Sequence, residues 1–288
     1  MKQILTWFVI ALLIGACKPS EPPPEPPPSK SIVTLGNPTS PKKALVIGNS
    51  QYKHKPLENP QNDATDMANL LAEEMDFHVI RALNLESREM KKVISDFHKL
   101  VANTPDVEEK VGLFYFSGHG ARSNRNKNYL LPIDNGTIRS DYDLRKKAFQ
   151  VNGEIVKPLE ADNNGANIII ADACRDNPYE GSTRTGNRGL IPISPPSSPP
   201  QKGGTVIAFA ASEGEVADDG PQRNGLYTKH LLAKMKELKN DSIERVFKQV
   251  VEPVVEESKG SQNPEYRSSL TKKYCLRACL KNPKINHL

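Results

Sequence analysis

The chain has 288 residues, of which 37% are hydrophobic and 25% are charged, a composition ordinary for globular proteins and unlike that of disordered or membrane-embedded chains. Its formal charge of +5 comes from Lys and Arg residues that are scattered along the sequence, without the dense basic run of a nucleic-acid-binding patch. We therefore expect no nucleic-acid partner.

The first sixteen residues have the pattern of a secretory signal peptide. Lys2 gives a positive start, and Ile4 to Ile14 is mostly apolar but shorter than the about 20 residues that a membrane-spanning helix needs. The stretch ends in Gly15-Ala16-Cys17, which resembles the end of a bacterial lipoprotein signal, where the Cys is acylated and becomes the new N-terminus. We expect lipid attachment at Cys17; an ordinary signal peptide followed by a chance Cys is the alternative.

Lys18 follows this Cys, and the resemblance to lipoproteins then favours the outer membrane over the inner one. We expect a chain that is anchored in the bacterial cell envelope and faces the periplasm. The next residues, up to 42, are rich in proline, which breaks helices and sheet ladders, so they predict an extended polyproline II tether. The predicted divisions are a signal peptide 1–16, a tether 17–42, a globular domain 43–270 and a C-terminal tail 271–288.

Five apolar runs predict the strands of the globular part. Each is short and continuous, as in strands that are covered on both faces. The runs are Ala44–Gly48, Phe77–Ile80, Val111–Phe116, Asn167–Ala171 and Thr205–Ala210. Helical periodicity fills most of the intervals, as at Met90, Val93 and Ile94. The alternation predicts an α/β fold with a mainly parallel sheet and helices on both faces.

The second half of the domain predicts two helices and a long loop. The helices are Leu226–Leu238 and Ile243–Val251, the second ended by Pro253. Residues 175–204 have no periodicity and contain several prolines, which predicts an exposed loop.

Two predicted strands lead into residues that can carry chemistry. Val111–Phe116 is followed by Ser117-Gly118-His119-Gly120, and Asn167–Ala171 by Asp172-Ala173-Cys174-Arg175. Functional groups gather at the carboxyl edge of parallel sheets, so neighbouring strands would bring this His and Cys together. An imidazole that takes up the thiol proton makes the sulfur a nucleophile. The alternative is a buried structural Cys and an ordinary loop His.

Several segments resemble one family of proteins. They are Ala44–Asn49, Asn62-Asp63-Ala64, Asp66-Met67, Phe114–Gly120, Asp172–Pro178 and Arg223–Thr228. Together they resemble the caspase and metacaspase clan of cysteine endopeptidases, most closely its prokaryotic metacaspase-like members, over residues 43 to about 270. Ala173-Cys174-Arg175 matches the centre of the caspase signature Gln-Ala-Cys-[Arg/Gln/Gly]-Gly, and its distance from His119 is near the roughly 50 residues of that signature. The flanking Gln and Gly are both Asp here.

The resemblance implies the caspase-hemoglobinase fold, a mostly parallel six-stranded sheet flanked by helices, and cleavage of peptide bonds. Cys174 would attack the scissile carbonyl, His119 would stabilise the thiolate and protonate the leaving amine, and the backbone N–H groups of Cys174 and Gly120 would hold the oxyanion. The clan orients its His through a backbone carbonyl, so no third acid is assigned and no cofactor is required. A membrane-tethered pseudoenzyme or interaction module, or another hydrolase chemistry on the same dyad, are the alternatives.

The resemblance also gives a specificity. Asp172 stands two positions before the nucleophile, where caspases that cleave after Asp have Gln. A carboxylate repels an acidic side chain and pairs with Lys or Arg, so we expect protein or peptide substrates with a basic residue at P1, as in metacaspases. Asp63 and Ser117 match the metacaspase pocket positions and would complete the substrate-binding site. For Asp63, a favourable charge at a helix N-terminus is the alternative.

Two further features leave alternatives open. Several metacaspases need calcium, and Asp134, Asp141 and Asp143 lie where the resemblance places acidic ligands, but the stretch around Gly181 lacks the further Asp. Calcium activation is therefore an alternative to an enzyme without any metal. The loop could be cut by the enzyme itself at Arg184, Arg188 or Lys202, and an uncut loop is the alternative.

Cys275 and Cys279 lie at the end of the sequence, beyond the resemblance. In an oxidising periplasm they would pair with each other or with another chain, or stay as thiols. A zinc site would need two further ligands, and His287 alone does not suffice.

Overall fold

A central sheet runs through the computed structural model, which describes residues 30–174, 190, 193, 203–212 and 222–279. Cys174 is placed by its backbone. Several predicted features lie outside these residues, namely the signal peptide 1–16, Cys17, and the candidate cleavage sites Arg184, Arg188 and Lys202. No helix in the described part of the chain is long and apolar enough to cross a membrane.

Strands and helices alternate along the described chain. The strands are β1 Ser31–Gly36, β2 Lys42–Gly48, β3 His78–Leu83, β4 Val111–Arg122, β5 Asn128–Leu130, β6 Phe149–Gln150, β7 Ala166–Cys174, β8 Thr205–Phe209 and β9 Glu265–Ser268. The helices are α1 Pro60–Glu74, α2 Ser87–Ala102, α3 Asp141–Lys147, α4 Lys157–Asp162, α5 Leu226–Glu237 and α6 Ile243–Glu257. A 3-10 turn, Asn135–Thr137, and a π-helical turn, Val151–Val156, lie between β5 and α4.

The predicted α/β architecture is confirmed. The main sheet has the order β1-β3-β2-β4-β7-β8-β9, with parallel pairing from β3 through β8 and antiparallel pairing of β1 and β9. Six of these strands, in the order β3-β2-β4-β7-β8-β9, correspond to the predicted six-stranded sheet, and β1 adds a seventh strand at its edge. The short strands β5 and β6 pair antiparallel on the carboxyl half of β4.

Apolar clusters on both faces hold the sheet. Adjacent β4 residues divide between them, since Tyr115 packs with α1, α5 and α6, and Phe114 packs with α2 and α4. The predicted α2 stripe, represented by Met90 and Val93, is buried. Burying each such large side chain contributes about 1.5–3 kcal/mol, so the clusters fix the strand order that positions the site.

The predicted tether boundary is wrong at its carboxyl end. Ser31–Gly36 forms β1 and pairs with β3, so the ordered domain begins before residue 42. The prolines stop at Pro28 and return at Pro38, and the segment between them is rich in β-branched residues that favour strands. Composition averaged over the tether concealed this strand.

The C-terminal part also departs from the prediction in two places. Helix α6 continues past Pro253 to Glu257, because the buried side chains of Val250 and Val254 pack on the core on both sides of the proline. The expected tail packs on the core through the buried side chains of Tyr274 and Leu276, and Cys275 and Cys279 form a disulfide.

A buried ammonium group fastens this C-terminal segment to the sheet. Lys42, at the start of β2, donates from Nζ to the carbonyl oxygens of Met75 and Leu276, the latter at 3.0 Å. Burial lowers the pKa of Lys42. The residues around the disulfide are therefore part of the folded domain.

Candidate active site

The two strands predicted to carry the site are neighbours. β4 and β7 pair in parallel, and their register sets Ser117 opposite Asp172 and His119 opposite Cys174. The predicted strand ends at Phe116 and Ala171 are wrong, because backbone pairing continues through the polar residues that follow each apolar run. The functional residues consequently lie on the strands themselves, at the carboxyl edge of the sheet.

Gly118 makes room for the aromatic ring that supports His119. Its φ is +153°, and a Cβ atom there would lie 2.4 Å from the Tyr52 hydroxyl oxygen. That hydroxyl accepts a hydrogen bond from the His119 backbone N–H at 2.8 Å and donates to the Leu131 carbonyl at 3.1 Å. The Tyr52 and His119 rings lie 4.3 Å apart between centroids. Only a glycine at this position permits the contact.

A backbone carbonyl orients the buried His119 side chain. Its Nε2 lies 2.6 Å from the carbonyl oxygen of Lys55 and donates to it. This hydrogen bond places a proton on Nε2, which makes Nδ1 the nitrogen that can take up a further proton. The Lys55 backbone has a φ of +57°, in the left-handed region that is costly for a residue with a side chain.

The amide of Asn135 holds the loop that carries this carbonyl. Its Oδ1 accepts the His54 N–H at 3.1 Å, and its Nδ2 donates to the His54 carbonyl at 3.1 Å. The neighbouring Lys53 N–H donates to the carbonyl of Ile133 at 2.9 Å. Asn135 is buried, so its amide acts as a fixed clamp next to Lys55.

Two carboxylates lie beside the His119 and Cys174 positions. Asp63, 1% exposed, accepts from the Ser117 hydroxyl at 2.9 Å and from the Gly225 N–H at 3.0 Å. Asp172, 8% exposed, accepts from the Thr228 hydroxyl at 2.6 Å. The structure thus brings together the three predicted substrate-binding residues, and we call Asp63 and Asp172 the acidic pair.

Placing the two carboxylates of the acidic pair side by side in a buried site is electrostatically costly. Burial, followed by the negative charge of Asp172, raises the pKa of Asp63 to about 8. A Cβ atom on Gly225 would lie 3.3 Å from an oxygen of Asp63 and 3.6 Å from one of Asp172, so both carboxylates border this glycine. A cation entering beside Gly225 would relieve the repulsion between them.

The hydroxyl groups below the pair stay neutral. Burial raises the pKa of Tyr115 well above its usual range, and the charges of Asp63 and Asp172 act in the same direction. The Tyr115 hydroxyl lies 2.6 Å from the hydroxyl oxygen of Thr228, which in turn donates to Asp172. These contacts fix the orientation of the Asp172 carboxylate.

The predicted oxyanion donors lie on the same edge of the sheet. Gly120 follows His119 on β4 and pairs with Leu130 of β5, while Cys174 is the last residue of β7. Their backbone positions are therefore on adjacent strands.

Each of the candidate calcium ligands accepts a hydrogen bond from a backbone N–H group. Asp134, Asp141 and Asp143 accept backbone N–H groups at 3.0, 2.9 and 3.2 Å, from Ser87, Asn124 and Arg139 respectively. Within the described ranges, no group of three His, Cys, Asp or Glu side chains is placed to hold a metal ion.

Sequence reasoning missed several residues that shape the site. Tyr52 and Lys55 lie in the irregular segment between β2 and α1 and contact His119 only through the tertiary fold. Asn135, at the start of the 3-10 turn, contacts His54. Gly225 and Thr228 lie in a segment that carried the family resemblance, which was a signal for them, but they had no assigned role.

A family model shows the family of this chain. A family model described as the caspase domain matches residues 41–275. The mucosa-associated lymphoid tissue lymphoma translocation protein 1 of Homo sapiens and its Mus musculus homolog are each 28% identical to this chain over 243 residues. That alignment covers 82% of this chain and 26% of each relative, so the chain spans about a quarter of their length.

Solved structures show the same fold. A protein from Geobacter sulfurreducens matches with a TM-score of 0.59 at 17% identity, covering 83% of this chain and 100% of that one. Caspase-1 from Spodoptera frugiperda matches with a TM-score of 0.55 at 15% identity, covering 87% of this chain and 93% of that one. With its sheet, its helices and the match over residues 41–275, this chain belongs to the caspase domain family.

Proposed function

We propose that this chain is a cysteine endopeptidase that cleaves peptide bonds after Arg or Lys. The observation that carries the proposal is the buried acidic pair beside the position where His119 faces Cys174 across two strands. Membership of the caspase domain family supports peptidase chemistry. The charge and burial of the pair support a basic P1 residue.

In the proposed reaction, the Cys174 thiolate attacks the scissile carbonyl carbon, and the backbone N–H groups of Cys174 and Gly120 stabilise the oxyanion. The His119 imidazolium gives its proton to the leaving amine as the peptide bond breaks and an acyl-enzyme forms. Water then attacks the thioester, His119 takes one of its protons, and the Cys174 thiolate leaves. Lys55 keeps the imidazole ring in place through both steps.

The assay uses residues 18–288, which lack the signal peptide and Cys17, with a fluorogenic peptide that carries Arg at P1. We expect cleavage that is lost in Cys174→Ala, which should keep the wild-type melting temperature, and also in His119→Ala, which should lower it because His119 is buried and bonded to Lys55. Parallel reactions with calcium and with a chelator test the calcium alternative. A folded chain that cleaves nothing under either condition would contradict the proposal and favour a tethered interaction module.

We propose further that Cys17 is lipidated and that the domain lies on the periplasmic side of the bacterial cell envelope. The signal pattern of residues 1–17 supports the anchor, and the disulfide between Cys275 and Cys279 supports an oxidising compartment. Labelled palmitate should enter the wild-type chain in an expressing bacterium and should not enter Cys17→Ser. Equal labelling of the two chains would rule out this anchor.

A further inference from the structure

A segment that is distant in sequence from Asp63 supplies hydrogen-bond donors to the acidic pair. Gly225 donates its N–H to Asp63, and Thr228 donates its hydroxyl to Asp172. Residues 222–228 therefore hold one donor against each carboxylate. Any shift of this segment changes the surroundings of both carboxylates at once.

A third carboxylate, Asp66, holds the same segment from outside. The Arg223 guanidinium donates to its two oxygens, from Nε at 3.0 Å and from Nη2 at 2.9 Å. The Asn224 amide donates to one of them at 3.0 Å. We call Asp66, Arg223 and Asn224 the clasp. Asp66 lies three residues after Asp63 on α1, so the two carboxylates share a helix face.

We propose that the clasp is a positioning element for the P1 pocket, in which Asp66 keeps the Arg223 guanidinium outside the acidic pair and holds Gly225 and Thr228 on it. A two-bond fork between guanidinium and carboxylate fixes direction as well as distance. Arg223 carries the same group as an arginine at P1, so the chain needs a device that keeps its own guanidinium away. The inference rests on the proposed function.

The electrostatics of Arg223 agree with this role. Its pKa is raised, first by the hydrogen bond with Asp66 and also by the charge of Asp63. The Arg223 guanidinium is therefore close enough to interact with the charge of Asp63, although its hydrogen bonds go to Asp66. Its side chain is 61% exposed, and an ordinary ion pair at such a position would add little to stability.

The test measures binding of agmatine, which is arginine without its α-carboxylate, to residues 18–288 by titration calorimetry. We expect Asp66→Asn and Arg223→Gln each to weaken agmatine binding by about tenfold, the effect of losing one well-oriented pair. The double variant should equal either single one, because the two residues act as a unit. On Arg peptides the KM should rise by the same factor with kcat unchanged.

Glu257→Gln is the matched control. Glu257 accepts from Lys229 of α5 at 2.6 Å in a half-exposed ion pair that has no contact with the acidic pair. It should leave agmatine affinity unchanged. Binding is measured at a temperature at which every variant is folded, as checked by its melting curve.

Unchanged agmatine affinity in Asp66→Asn, effects that add in the double variant, or an equal loss in Glu257→Gln would each overturn the clasp. Wild-type binding of agmatine without peptide cleavage would defeat the proposed peptidase and leave the clasp supported if the variants still weaken binding. Absence of agmatine binding to the wild-type chain would overturn the clasp directly.

Discussion

Replacing Asn135 with Ala should impair the candidate active site from a distance. The Asn135 amide touches the backbone of His54, and the next residue, Lys55, supplies the carbonyl that orients His119. The substitution removes no atom that contacts His119. Its effect must pass through the loop.

The structure gives the size of that effect. The lost amide makes two hydrogen bonds to His54, each with a net contribution of about 0.5–1.5 kcal/mol, so the loop should weaken by about 1–3 kcal/mol. The left-handed Lys55 backbone is costly, so a released loop will relax away from His119. At 1.4 kcal/mol for each factor of ten, kcat should fall by about 5- to 140-fold, while KM for Arg peptides stays near the wild-type value.

Asn163→Ala is the matched control for this experiment. Asn163 is also buried, donates to the Ala166 carbonyl at 3.0 Å and to Asn167 at 2.8 Å, and lies at the opposite, amino edge of the sheet. It should lower the melting temperature without lowering kcat. Wild-type kcat in Asn135→Ala, or an equal loss of kcat in both variants, would refute the reasoning.

Three further predictions test single features of the structure. Because the raised Asp63 pKa of about 8 exceeds the ordinary 3.8, the folded chain holds a proton that the unfolded chain releases, so the free energy of unfolding should fall as pH rises from about 4 to 8. Urea titrations at several pH values should show a smaller fall in the free energy of unfolding for Asp63→Asn. An equal fall in the two chains would contradict the raised pKa of Asp63. Gly118→Ala should destabilise the fold by about 1–3 kcal/mol through its clash with Tyr52, whereas an unchanged melting temperature would show that the contact yields freely. Cys275→Ser should cost about 2 kcal/mol, the loop-closure value for so short a loop, and the cost should vanish when both proteins are measured under a reducing agent.

The sequence predicted the sheet because its strands are buried on both faces and appear as continuous apolar runs. It also predicted that His119 and Cys174 lie on one edge, because parallel strands end together. The resemblance added Asp63 and Ser117 to Asp172, and the structure places all three side by side. The sheet and the common edge were thus predicted from patterns that are local in the sequence, whereas the grouping of the pocket residues came from the resemblance.

The features that escaped prediction depend on contacts between distant segments. Residues of β1 form a strand because they pair with the edge strand β3, although the surrounding sequence is rich in proline. Helix α6 passes Pro253 because the core packs on both sides of it. Lys55 and Asn135 have no local signal, since their importance comes from where the fold places a carbonyl and an amide.

The most direct test of the central claim compares two peptides that differ only in charge at P1, one with arginine and one with citrulline, its uncharged analogue. We expect the wild-type kcat/KM to favour arginine by about 100-fold, as for a buried charge pair. In Asp172→Asn that preference should fall, and in the double variant Asp63→Asn, Asp172→Asn it should fall to nearly one while cleavage of the citrulline peptide persists. Equal cleavage of both peptides by the wild-type chain, or a preference for Asp at P1, would contradict the claim that the acidic pair selects a basic residue.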